Sequence, residues 1–158
     1  MVQLVAGDIL LSKADVIAHA MAPAEDFSKG FARALRNKWP AIAEDFRRFR
    51  TRHAVHPGSL WVWKAPTGQQ VIGLVTHEVA EGKRAGRATF AYVDHALVAL
   101  RAQIQRRRAR SLAMPRLATG SGGLAWADVE TFIQQHFTEL TIPVTLYDRH
   151  RRGVKIKE

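Results

Sequence analysis

Apolar and polar positions change their period along the chain, and those changes predict the elements. Val2 to Ile9 and Asp15 to Met21 read as short strands, the second with an apolar core Val16-Ile17-Ala18 followed by His19. Phe27 to Lys38 carries Phe27, Phe31, Ala34 and Leu35 at helical spacing, and Pro40 fits the first turn of a further helix containing Ile42, Phe46 and Phe49. Ser59 to Ala65 and Gln70 to Thr76 are strand-like and flank Pro66-Thr67-Gly68, a turn favoured by Pro and Gly backbone preferences, so they predict a hairpin. Phe90, Val93, Leu97, Leu100 and Ile104 then recur at i, i+3, i+4 after Thr89, the spacing of an amphipathic helix. Ser111 to Pro115 predicts a buried strand, Trp126, Val129, Ile133 and Phe137 a helix, and Ile142 to Tyr147 a last strand.

Strands and helices therefore alternate after an N-terminal strand pair, which predicts an α/β fold with helices on both faces of one sheet. Neither a repeat nor a linker interrupts the pattern, so residues 1–148 are expected to form a single domain. The tail from Arg149 to Glu158 has no periodicity and is expected to be loose.

The chain has 158 residues, 47% of them hydrophobic, enough for one buried core. No apolar run approaches the roughly 20 residues needed to span a bilayer, and Met1-Val2-Gln3-Leu4-Val5 lacks the layout of a secretory signal. A soluble, cytoplasmic protein with no membrane partner is the expectation. The absence of cysteine excludes disulfides, thiolate nucleophiles and Cys-ligated metals. His53-x-x-His56 has metal-like spacing but no third ligand, so no metal is expected there.

The formal net charge is +10, concentrated in three clusters: Arg47, Arg48, Arg50 and Arg52; Arg106, Arg107, Arg108 and Arg110; and Arg149, Arg151, Arg152, Lys155 and Lys157. Such a surface attracts anionic partners, including nucleic acid or poly(ADP-ribose), and serves equally well as a solvated face.

Two loops could cradle a phosphate. Leu117-Ala118-Thr119-Gly120-Ser121-Gly122-Gly123 joins a strand to a helix, where small residues allow close backbone approach and free N–H groups suit a diphosphate. Phe27-Ser28-Lys29-Gly30-Phe31-Ala32 has the same placement, with Asp26 or Ser28 as a helix cap in the plainer reading. Neither is a GxGxxG or P-loop sequence, which argues against a nucleotide triphosphatase. In an open α/β sheet both loops would lie at the carboxyl ends of strands, where ligands gather.

Gly7-Asp8-Ile9-Leu10, Ala14-Asp15-Val16-Ile17-Ala18-His19, Phe27-Ser28-Lys29-Gly30-Phe31-Ala32, and Met114-Pro115-Arg116 with its Gly-rich loop and Leu124-Ala125-Trp126 occur in the order found in macrodomains. Over residues 4–148 the chain resembles that family, most of all the branch of terminal ADP-ribose protein glycohydrolase. The resemblance implies a three-layer α/β/α sandwich with a mixed central sheet and a cleft across its crest. It further implies that Asp8 takes the adenine amine, with Ile9 beside it. Ser28, Lys29, Gly30 and Phe31, with Thr119, Gly120, Ser121, Gly122 and Gly123, would hold the diphosphate. Tyr147 would lie near the adenine, and His19 would join the ligand-binding set.

Where the family has an Asn-rich segment and a triple-Gly turn, this chain reads His19-Ala20-Met21-Ala22 and Phe27-Ser28-Lys29-Gly30. The branch uses a Lys nucleophile and an acid, and alignment puts His77 and Gly122 at those places. Lys83 could be the lysine displaced by an insertion, and His77 next to Glu78 could act as an acid–base group. The resemblance calls for no cofactor. The activity it implies is removal of ADP-ribosyl groups from proteins, at Glu or Asp esters, by positioned or substrate-assisted attack of water. A non-catalytic ADP-ribose reader and a nucleic-acid-binding domain are the alternatives.

Overall fold

The computed structural model describes residues 1–84 and 86–158. Among these, six strands form one sheet in the order β1-β6-β5-β2-β4-β3, comprising β1 (Val2–Gly7), β2 (Val16–Met21), β3 (Leu60–Lys64), β4 (Gln70–Val75), β5 (Leu112–Pro115) and β6 (Val144–His150). All neighbours run parallel except β3 and β4, the hairpin pair, so the sheet is mixed. Four helices cover it: α1 (Gly30–Lys38), α2 (Ala41–Arg52), α3 (Phe90–Arg107) and α4 (Trp126–Phe137). None is long and apolar enough to cross a membrane.

Alternation along β2 sorts the core into two layers. Val16 and Ala18 join Leu112, Met114, Val144 and Leu146 beneath α3 and α4, with Val93, Leu97, Leu100, Val129, Ile133 and Phe137. Met21 faces the other way, into a cluster with Leu35, Ile42, Phe46, Trp61 and Trp63 under α1 and α2. The result is the three-layer α/β/α sandwich. Thr89 caps α3 as Tyr92 N–H donates to its Oγ1 at 3.1 Å.

Three boundaries differ from the sequence expectation. The first strand stops at Gly7 because Asp8 turns the chain and caps a 3-10 turn, Ile9–Leu11. Helix α1 begins at Gly30, not Phe27, because Phe27 and Gly30 both adopt left-handed backbone angles, with φ of 58° and 57°. A left-handed L-residue costs roughly 1–2 kcal/mol. Phe27 is fully buried against Phe46 and Trp61, and burying a Phe is worth roughly 1.5–3 kcal/mol, so packing offsets the strain.

The third difference is the C-terminal tail, which is not loose. Arg149 and His150 continue β6 along β1, opposite Ala6 and Gly7. Beyond them Asp8 N–H donates to Val154 O at 2.8 Å and Gly153 N–H to Asp8 Oδ2 at 2.9 Å. Ile156 packs with Val5, Ile9 and Tyr147, so close to Gly7 that a Cβ there would lie 2.5 Å from its Cγ1. Glu158 accepts from Ser12 Oγ, Lys13 N–H and Tyr147 OH. These partners lie far away in sequence, which is why local periodicity did not reveal them.

Phe27→Ala should lower stability by about 3–5 kcal/mol, the usual cost of emptying a large aromatic site, and Phe27→Leu by clearly less. Urea unfolding followed by circular dichroism measures both.

Candidate functional site

The parallel strands end side by side at Gly7, His150, Pro115, Met21 and Val75, and a cleft of two compartments opens along this crest. The first, of about 370 Å3, is walled mainly by Ile9, Leu10, Phe31, Ala34, Pro115 and Tyr147. The second, of about 550 Å3, is the more polar of the two, with His19, Glu25, Lys29, His77, Thr119 and Ser121 in its wall. Gly30, Phe31, Pro115 and Arg116 border both and so form the waist between them.

The waist favours anions. Helix α1 starts without a side-chain cap, and among the described residues the Gly30, Phe31 and Ala32 amides have no backbone partner. Across from them Arg116 is held by Asp148, with Nη2 at 3.0 Å from the carboxylate, and lies over the Trp126 ring at 5.5 Å. An anchored guanidinium beside unpaired amides suits a diphosphate.

The polar compartment holds two histidines of different character. His19 is 1% exposed, edged by the Phe27 and Phe31 rings, and among the described residues neither ring nitrogen has a hydrogen-bond partner. Burial pushes its pKa down to about 4, so near neutrality it is an uncharged imidazole with one donor and one acceptor unused.

His77, just beyond β4, is buried and lies between Thr76 and Ser121: its Nδ1 is 3.0 Å from Thr76 Oγ1 and its Nε2 3.2 Å from Ser121 Oγ. Burial lowers its pKa, opposed by the Met21 carbonyl. With the proton on Nδ1, toward Thr76 Oγ1, Nε2 is left to accept from the Ser121 hydroxyl. Glu25 shares the compartment; Phe27 N–H donates to its Oε2 at 3.0 Å, and burial pushes its carboxyl up from the ordinary range.

The chain matches no protein-family profile. Among curated proteins it is 28% identical over 141 residues to the DNA ADP-ribosyl glycohydrolase of Mycobacterium tuberculosis, covering 85% of this chain and 38% of the relative. It is 25% identical over 150 residues to the protein of that name from Thermus aquaticus, covering 94% and 41%. The chain thus spans about two fifths of the length of these relatives. Among solved structures, the macrodomain of Thermus aquaticus DarG superimposes with a TM-score of 0.81 at 25% identity, over 94% of this chain and 98% of that one. The chain is a macrodomain by fold. Thermosipho africanus DarTG, solved in complex with ADP-ribose, superimposes with a TM-score of 0.82 at 18% identity over 99% of this chain and 43% of that one.

Most residues singled out from the sequence meet in this macrodomain's cleft. Ile9 and Tyr147 line the first compartment, Phe31 and Gly30 the waist, and His19, Lys29, His77, Thr119, Gly120, Ser121 and Gly122 the second. Four do not. The Asp8 carboxylate is turned to backbone donors, Leu10 N–H and Gly153 N–H, and is not part of the cleft wall. Ser28 is exposed and donates from Oγ to Asp26 Oδ1 at 2.6 Å, away from the lining. Gly123 (φ 77°) serves the loop's turn, against Arg87. Lys83 sits exposed in the turn between the paired Glu81 and Arg84, outside both compartments, because the chain after His77 leaves the crest; Ala85 of the Lys83-Arg84-Ala85 segment lies outside the described residues.

The sequence reading overlooked Arg116 and Glu25. Arg116 was signalled by the Met-Pro-Arg strand end. Nothing local marks Glu25 apart from its place before the first cradle.

Because His19 binds a proton more readily in the unfolded chain than in the fold, stability should fall as pH drops from about 6.5 to about 4. A shift of this size corresponds to about 3 kcal/mol. His19→Leu should remove that part of the acid slope, measured as unfolding free energy against pH in both proteins.

Proposed function

We propose that this macrodomain binds ADP-ribose along the crest and hydrolyses the bond between C1″ of its distal ribose and an attached macromolecule. The observation that carries the reading is the two-compartment cleft. Its apolar end suits adenine, its waist of α1 amides and Arg116 suits the diphosphate, and its polar end, with Lys29, Thr119 and Ser121 in the wall, suits a ribose. His77 and Ser121 lie in that polar end, where water attacking C1″ would stand, and can take its proton. Tight placement of substrate and water supplies much of the rate.

The names of the curated relatives support ADP-ribosylated DNA as the substrate. So does charge: the basic cluster beginning at Arg149 flanks the apolar compartment through His150. The cluster at Arg106–Arg110 lies at the other end of the sheet, where Arg110 pairs with Asp15 at 3.3 Å. A second reading, hydrolysis of Glu or Asp esters on proteins, is favoured by Gly122: a carboxylate leaves without a proton, and the Gly-rich loop supplies no acid.

Calorimetry should detect ADP-ribose binding, weaker for ADP, which lacks the distal ribose. A Glu at Gly30 would force a side chain into the left-handed backbone, and a Glu at Gly120 would project charge into the open polar compartment. Gly30→Glu and Gly120→Glu should each weaken binding on the order of 100-fold. Wild-type protein should release ADP-ribose from a modified oligonucleotide, and His77→Ala should lower kcat by about 100-fold or more. Binding without release from any modified DNA or protein would make the domain a reader instead.

A further inference from the structure

Gly122 of the Gly-rich loop cannot be replaced by an acid. A Cβ at Gly122 would stand 2.5 Å from the Ala118 carbonyl oxygen and 2.8 Å from Ala88 Cβ, so the position expected for a proton donor admits no side chain. The polar compartment nevertheless contains a carboxyl group, Glu25, the only acidic residue in its wall among the described residues. It comes from the segment between β2 and α1, a different part of the fold.

We propose that Glu25 is the general acid of this site, protonating the group that leaves C1″ while His77, through Ser121, receives the proton of the attacking water. The inference rests on the hydrolase reading above and assigns the residue that would extend it to leaving groups poorer than a carboxylate.

Several observations single out this side chain. Phe27 N–H fixes Glu25 Oε2, and Phe27 is itself immobilised in the core. Among the described residues Glu25 forms no salt bridge, whereas Asp148 at the waist is committed to Arg116. A carboxyl without a cationic partner, half-buried beside Asp26, retains its proton to higher pH. Burial displaces His77 in the opposite direction, so the pair is shifted toward a protonated acid and a neutral base.

The step balances. The C1″–X bond breaks with its electron pair going to X, and X takes the Glu25 proton. The water oxygen bonds to C1″ and gives a proton to Ser121 Oγ, whose own proton passes to His77 Nε2. The products are ADP-ribose with a C1″ hydroxyl and H–X. Glu25 carboxylate and His77 imidazolium return to their starting forms by exchange with solvent. The charged or titratable groups around Glu25 are His19, Lys29, His77 and Arg116 in the same wall, with Asp26 next in the chain.

Glu25→Gln tests this, because the amide oxygen still accepts from Phe27 N–H but the group cannot act as an acid. Two substrates are compared: an oligonucleotide ADP-ribosylated on a base, and a peptide ADP-ribosylated on Glu. The variant should lower kcat on the oligonucleotide by about 100-fold and on the ester by less than about 5-fold. The alkaline limb of the oligonucleotide pH profile should disappear, and ADP-ribose affinity should stay within about 2-fold. In the wild type, 13C titration of the Glu25 carboxyl should place its midpoint above that of an ordinary glutamate.

Equal losses on both substrates together with weakened ADP-ribose binding would make Glu25 a structural residue and overturn the proposal. So would unchanged kinetics, an ordinary titration midpoint, or wild-type hydrolysis confined to the ester. If wild-type protein releases ADP-ribose from neither substrate, the hydrolase reading itself falls and this assignment with it.

Discussion

Burial of the Phe27 ring in a left-handed backbone is the constraint from which the site follows. The ring is enclosed by His19, Phe46 and Trp61, so the chain leaving β2 must reverse at one point before α1 can begin. That reversal delays the helix to Gly30 and leaves the Gly30, Phe31 and Ala32 amides without backbone partners at the crest. It also brings the Phe27 amide to Glu25 and sets the ring against His19. A core contact on one face of the sheet thus decides which polar groups reach the cleft.

The cleft's two ends differ in what they can solvate. Around Ile9, Leu10, Ala34 and Tyr147 the walls offer apolar surface, while beyond the waist they offer hydrogen-bonding groups whose charge burial suppresses. His19 and His77 are both pushed toward the neutral form and Glu25 toward the protonated one, all chiefly by burial. Positive charge lies at the waist, where Arg116 is anchored by Asp148 and Trp126, and in the second compartment, where Lys29 joins the wall.

The C-terminal segment modifies the other end. By donating Gly153 N–H to Asp8 and seating Ile156 against Gly7, it turns the Asp8 carboxylate toward the protein. Tyr147, tied to Glu158, becomes a fixed wall whose hydroxyl pKa is raised by burial and by that carboxylate. The wall at this end is formed by Ile9, Leu10 and Tyr147, while the Asp8 carboxylate accepts from the Leu10 and Gly153 amides.

The sequence alone determined the order of elements, the β3–β4 hairpin, the capped α3 and the two small-residue loops, because each depends on residues adjacent in the chain. Periodicity exposes a helix face and Pro-Thr-Gly a turn without reference to anything distant. It also exposed the cradle residues that gather at the crest, since parallel strands place such loops together. Only the tertiary structure decided the rest. The reversal at Phe27 depends on rings from α2 and β3, and the order of residues 151–158 on β1 and the 3-10 turn. Whether Lys83 or Glu25 enters the cleft depends on where the chain goes after His77 and after β2. The bareness of Gly122 is set by Ala88 and Ala118 pressing on the loop. Each of these is a contact between segments far apart in sequence, whose cost and direction appear only when the sheet has brought them together.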